Sequence, residues 1–193
     1  LFYKKKKVNI GSFEAVGSLK SSLCYEYVKS EKIKIHPNKY DICLIAETVG
    51  DLTKLDHPQE SKNLPDCYGL VAEFTHRLCR KHNLNMVFSG KALKDTVYAE
   101  REICFYKNYL KNYNFEISHS LKETQKYSSY INIMQSKLTI ALWSTMLREA
   151  ISFEKKFLSF NTAGHPDVIF PGQGIAFPQE SICILTKPSY ELF

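Results

Sequence analysis

Ser144, Thr145 and Glu149 are the residues of this chain whose types and spacing come nearest to a site. They follow an unbroken apolar run, Leu138-Thr139-Ile140-Ala141-Leu142-Trp143, of a length suited to a strand buried on both faces. After them Met146 with Ala150, and Leu147 with Ile151, recur four residues apart, which is helical spacing. Two hydroxyls at the start of a helix, with free N–H groups and the positive end of the dipole, make an anion site suited to phosphate. Glu149 lies four residues after Thr145, one step past the capping-box spacing. A carboxylate there can accept hydrogen bonds from the paired hydroxyls of a sugar. The same residues also admit a plainer reading. Ser144 is then an N-cap worth about 1 kcal/mol, and Glu149 a helix-surface acid paired with Lys155 or Lys156.

Two further groups belong to the same rim. Lys91 and Lys94 follow a strand that ends at Ser89-Gly90-Lys91, and in a parallel sheet they reach a pyrophosphate bound over Ser144. Asn161, Thr162 and His165 follow the next strand and face the same edge. Each has a bland counterpart, a solvated lysine or a turn at His165-Pro166.

Other chemistries lack their motifs. No GxGxxG follows a strand, no GxxxxGK[ST] is present, and neither GxSxG nor HExxH occurs. His76 and His82, on or just beyond a helix, read as surface residues. The six cysteines form no CxxC pair, and several sit inside apolar runs as small hydrophobes, so neither a zinc site nor a disulfide framework is expected. No metal and no cofactor is expected.

The elements that must carry these residues alternate. Tyr40 to Ala46 is the first clear strand, and Glu47 to Pro65 a long polar loop. Asp66 to His82 reads as a helix with Leu70, Phe74, Leu78 and Cys79 inward, and Leu84 to Phe88 as the second strand. Val97 to Tyr113 is a helix, Asn114 to Ile117 a short strand and Tyr127 to Gln135 a short helix. The Leu138 strand, its helix and the strand Phe157 to Phe160 follow, then short apolar segments at Gly174 to Phe177 and Ser181 to Leu185. This order specifies an α/β, Rossmann-like, three-layer domain with a mainly parallel sheet and helices on both faces. The lateral order of the strands is not encoded in the pattern. Residues 1–39 read as a linker leading into the domain, and 40–193 as the domain itself.

Bulk properties set the outer limits. With 193 residues, 44% hydrophobic and 24% charged, the chain suffices for one well-buried domain. No apolar run approaches the roughly 20 residues that cross a bilayer, and no signal-peptide pattern is present. The net charge of +6 is spread along the chain, apart from Lys4-Lys5-Lys6-Lys7. That run lacks interleaved aromatics and arginines, so a solvated terminus is expected rather than a nucleic-acid arm. A start at Leu1 rather than Met suggests a fragment of a longer protein.

The pattern Ser144-Thr145-x-x-x-Glu149-Ala150, followed by Lys155-Lys156-Phe157-Leu158-Ser159-Phe160-Asn161, resembles the C-terminal, nucleotide-sugar-binding half of GT-B glycosyltransferases, especially those making surface polysaccharides. The resemblance covers roughly Tyr40 to Phe193. It implies that Ser144 and Thr145 contact the donor diphosphate, that Glu149 contacts the ribose or the sugar, and that Lys91 is a basic phosphate ligand. Asn161 and Thr162 complete the substrate-binding set. It further implies a metal-independent transferase, a nucleotide-sugar donor, and a glycan or other acceptor brought by an N-terminal domain that this chain lacks. That missing half often carries the family's catalytic base, so the resemblance names no catalytic residue. The chain departs from the family in having Trp143 directly before Ser144 in place of a Gly-rich loop, and it has no DxD motif. A non-catalytic binding module on the same fold is the alternative reading.

Overall fold

The computed structural model describes residues 18–47, 64–111, 115–120, 127–142, 144–160 and 183–185. Asn161, Thr162, His165 and the segment 174–177 lie outside the described residues. In chain order the elements are α1 (Leu19–Ser30), β1 (Tyr40–Ile45), α2 (Leu64–His82), β2 (Met86–Leu93), α3 (Val97–Leu110) and β3 (Glu116–Ser120). They continue with α4 (Ser128–Met134), β4 (Ser136–Ala141), α5 (Met146–Ser152), β5 (Lys156–Phe160) and β6 (Cys183–Leu185).

All six strands are parallel, in the lateral order β3-β2-β1-β4-β5-β6. This is the doubly wound order in which the direction of winding reverses between β1 and β4. β1 lies at the centre and pairs with both neighbours, Ile42 aligning with Met86 on one side and Leu138 on the other. Its sequence, Tyr-Asp-Ile-Cys-Leu-Ile, is almost wholly apolar because both faces of the strand are covered. The expected α/β class with helices on both faces is the one observed.

Alternation along the strands divides the core in two. On one face Ile42, Leu44, Met86, Phe88, Ile140 and Leu158 pack with Phe74 and Leu78 of α2 and Tyr106 and Leu110 of α3. On the other, Cys43, Ile45, Val87 and Phe157 pack with Cys24 of α1, Ile133 of α4, and Leu147 and Ala150 of α5. Helix α1 falls within the linker segment expected up to residue 39, yet it closes this second core. In sequence only Leu23 to Lys34 reads as weakly helical, because Leu19, Leu23 and Tyr25 are exposed while Ser21 and Cys24 are buried, so apolar residues do not mark the inward face of the helix. Its start is set by Ser18, whose side chain accepts the Ser21 N–H.

Three expected details differ. Leu70 is 46% exposed rather than inward, and His76 is buried rather than on the surface. Burial, with Arg80 nearby, pushes the His76 pKa down. β2 does not stop at Phe88 but runs through Gly90 and Lys91 to Leu93, with a shift of register against β3 between Ser89 and Leu93. A bulge of this kind re-aims the side chains near it.

Candidate functional site

A cleft of about 410 Å³ opens at the carboxyl ends of β1, β2, β3 and β4, at the point where the winding reverses. Ser144, Thr145 and Lys91 line it, together with Glu47, Ser89, Gly90, Ser120 and Ser129. Three of the residues expected at a site are therefore brought together, across chain separations that only the sheet order bridges.

Glu47, the second residue beyond β1, ties the rim. Its carboxylate Oε1 accepts the Ser144 N–H at 3.1 Å, and its backbone carbonyl accepts the Lys91 Nζ at 3.4 Å. Its own N–H donates to the Tyr106 hydroxyl, 3.3 Å away. Burial holds the Tyr106 phenol well above its ordinary pKa, so it serves as a neutral partner. The amide expected to hold a phosphate thus already carries a carboxylate. Ser144 Oγ accepts the Met146 N–H at 3.3 Å, while Thr145 is exposed and makes no side-chain cap. The capping hydroxyl is therefore Ser144, and Thr145 presents its side chain at the cleft without a capping role.

Lys91 is positioned from beneath. Its N–H donates to both oxygens of Glu102, at 3.2 and 3.1 Å, and the Ala92 N–H lies 3.4 Å from Oε2. Glu102 is buried on α3, and its Oε2 also meets His119 Nε2 at 2.8 Å. Backbone donors and the imidazole together compensate the burial of this carboxylate. The arrangement requires a glycine at 90. A Cβ there would lie 2.1 Å from the His119 ring and 2.7 Å from Glu102 Oε2. The floor beside it is a chain of side-chain hydrogen bonds. Ser89 Oγ donates to Ser129 Oγ at 2.9 Å and accepts from Asn132 Nδ2 at 3.3 Å, and the Ser120 and Ser128 hydroxyls are hydrogen-bonded to each other at 2.6 Å.

Glu149 is placed elsewhere. Its Oε2 accepts hydrogen bonds from Ser18 Oγ and Ser21 Oγ, and it is not among the residues lining the cleft. It fastens the first turn of α1 to α5. Its charge, after burial, helps to push the Cys24 thiol up to about 11 and the Tyr130 phenol up to about 12. Lys94 lies beyond the end of β2 and is not among the cleft's lining residues.

The sequence reading missed Glu47, Glu102 and His119. A carboxylate just after the first strand was the one available signal, and it was absorbed into a long polar loop. Among the described residues no group of three or more His, Cys, Asp or Glu is placed to hold a metal ion. Likewise no helix among them is long and apolar enough to cross a membrane.

Among curated proteins, none matches the chain. Among solved structures it is similar to the C-terminal domain of a glycosyl transferase group 1 family protein from Francisella tularensis. The two share 11% identity with a TM-score of 0.41, over 91% of this chain and 78% of that one. A likeness at this level carries no residue role from one chain to the other. A family model described as "putative O-antigen biosynthesis protein" matches residues 2–181. A match of that extent assigns the family: the chain belongs to these O-antigen biosynthesis proteins.

Proposed function

We propose that the chain is the nucleotide-sugar-binding domain of a glycosyl-transferring enzyme in O-antigen biosynthesis, of the GT-B type that the Ser144 to Asn161 pattern resembles. The observation that carries this reading is the position of the cleft. It opens at the switch point of the sheet, outside the carboxyl ends of the strands, where ligands of open α/β sheets bind. Its chemistry is compatible. The volume is that of a small-molecule site, Ser89, Ser120, Ser129, Ser144 and Thr145 supply hydroxyls, and Lys91 is the cation among the lining residues.

In this reading the donor diphosphate lies over Ser144 and Thr145 and displaces the Glu47 carboxylate from the Ser144 N–H. The freed amide, the two hydroxyls and Lys91 then stabilise the negative charge that grows on the diphosphate as the sugar departs. Asn161 and Thr162, outside the described residues, stay in this reading as donor contacts on the strength of the sequence resemblance, and the acceptor glycan arrives through another domain. Glu149 takes no part in the contact, because its carboxylate is engaged by Ser18 and Ser21.

Titration calorimetry with UDP, GDP and CMP tests the proposal. One of the three binds the wild-type protein, and Lys91→Ala weakens that binding about tenfold, the loss of one charge-assisted contact. No binding by folded protein overturns it. The carboxylate on the Ser144 amide favours a second reading, a non-catalytic module on the same fold. Under that reading none of the nucleotides binds even when Glu47→Gln has removed the charge.

A further inference from the structure

A second cavity, of about 570 Å³, runs beside the edge strand β3, between that strand, α4 and the end of α1. It is larger than the cleft and lies against different residues. The helix α4 separates the two, turning Ser129 to the cleft, and Ser128, Asn132 and Gln135 to the second cavity.

Its walls are built for hydrogen bonding. Asn132 and Gln135 are both more than nine-tenths buried, at 6% and 8% exposure, yet among the described residues neither amide is fully engaged. Asn132 uses its Nδ2 on Ser89, and Gln135 uses its Oε1 on the His36 N–H at 3.4 Å. The remaining amide atom of each has no partner among the described residues. Both residues line the cavity. Burying an amide with an unused donor or acceptor is unfavourable unless something completes it.

The charges on the walls cancel. Lys39 and Lys94 stand against Glu31 and Glu116. Lys39 Nζ meets Glu116 Oε2 at 3.2 Å and lies 4.5 Å from the centroid of the Tyr40 ring. The Tyr40 hydroxyl, followed by Lys39, holds the Glu116 carboxyl below its usual range, so this acid is an ionised acceptor at neutral pH. Tyr27 and Tyr40 add aromatic surface to the lining, and Ile33, Ile117 and Ile131 aliphatic surface. Balanced charge disfavours a phosphorylated ligand. Half-used amides, an ionised carboxylate and aromatic and aliphatic walls match a molecule with many hydroxyls and apolar C–H faces.

We propose that this cavity is a second binding site, for an uncharged sugar or a neutral segment of a glycan. It is independent of the donor reading, since it shares no lining residue with the cleft and its balanced charge disfavours the diphosphate that the cleft would require. In a polysaccharide-building protein such a site retains the growing glycan near the sheet edge, away from the place of transfer.

The test is a titration of ¹⁵N-labelled protein with the methyl glycosides of glucose, galactose, rhamnose and N-acetylglucosamine, each at millimolar concentration and followed by NMR. At least one of them shifts the Gln135 side-chain amide and the Ser118 backbone amide in a saturable way, and UDP does not. Gln135→Ala weakens the response at Ser118 about fivefold or more, the loss of one hydrogen bond. Ser118→Trp, which fills the cavity from an edge strand that accepts a large aromatic residue, abolishes the response at Gln135. Lys91→Ala in the cleft leaves both responses intact. Four sugars without a saturable shift, shifts that survive both cavity variants, or UDP acting as strongly as the sugars would each overturn the proposal.

Discussion

Gly90→Ala is the sharpest perturbation this structure offers, because one methyl group tests the whole device that sets Lys91. The new Cβ would sit 2.1 Å from His119 Cδ2 and Nε2, and 2.7 Å from Glu102 Oε2. Carbon atoms in contact rest at about 3.5–4.0 Å, so the imidazole must retreat by more than about 1 Å. It has little room to do so. The His119 side chain is 4% exposed and packs edge-on against Phe88. Overpacking of this kind costs about 1–3 kcal/mol. Losing the bond between His119 and the buried carboxylate adds about 1.5–3 kcal/mol, the value for a hydrogen bond to a charged group. Together these give about 2.5–6 kcal/mol, a large part of the stability of an ordinary domain. Urea unfolding reads it as a lower midpoint at unchanged m. The control is the same substitution in a His119→Ala background. There the conflict with the imidazole is gone and only the contact with Glu102 Oε2 remains, so the added cost falls, which makes the coupling between positions 90 and 119 measurable as a double-mutant cycle. A cost below about 1 kcal/mol for Gly90→Ala alone, or an equal cost in both backgrounds, would refute the reasoning.

Other consequences are more local. Leu142→Ala, at a fully buried position of the first core, costs about 2–5 kcal/mol in the same assay; a loss under about 1 kcal/mol contradicts the packing described. Glu47→Gln removes a charge from the place assigned to the donor diphosphate and tightens nucleotide binding at least about fivefold, the effect of one repulsive pair at close range; weaker binding would show that Glu47 serves the ligand rather than competing with it. Lys137 beside Asp41, and then the Asn85 N–H, hold the Asp41 carboxyl below its usual range. A depressed folded pKa contributes stability above the unfolded value of about 3.9 and loses it as pH falls through the folded value. Asp41→Asn is therefore less stable at neutral pH and loses less on acidification below about pH 4; parallel stability–pH curves for the two proteins exclude the assignment. Glu149→Ala frees Ser18 and Ser21, and amide exchange across Leu19–Ser30 accelerates while β1 stays protected; unchanged exchange in α1 means that the helix is held by other contacts.

Much of the fold was legible in the sequence because parallel strands covered on both faces must be apolar along their length. The Tyr40, Leu138 and Phe157 runs all became strands of the sheet. Helix α1 was less legible, since its buried positions are a serine and a cysteine while its leucines face solvent. The end of β2 was misplaced because Ser89-Gly90-Lys91 has the composition of a turn. In the structure the glycine makes room for His119, and the strand continues. At the cleft, Ser144 and Thr145 were found from the change of period that follows β4. Lys91 was found from its position after an apolar run. Glu149 had a plausible spacing, but the helix turns its carboxylate to α1, a contact partner 128 and 131 residues earlier in the chain.

By itself, then, the sequence determined the alternation of strand and helix, the parallel sheet, and the presence of hydroxyls and a lysine at the carboxyl ends of strands. Those properties follow from local period and composition. The tertiary structure alone decided which strand ends are neighbours. By setting β1 between β2 and β4 it brings Glu47 onto the amide of Ser144, 97 residues away, and by setting β2 beside β3 it lets His119 meet Glu102 beneath Gly90. Hydrogen bonds of that kind depend on lateral order, and the spacing of apolar residues along a chain carries no record of it.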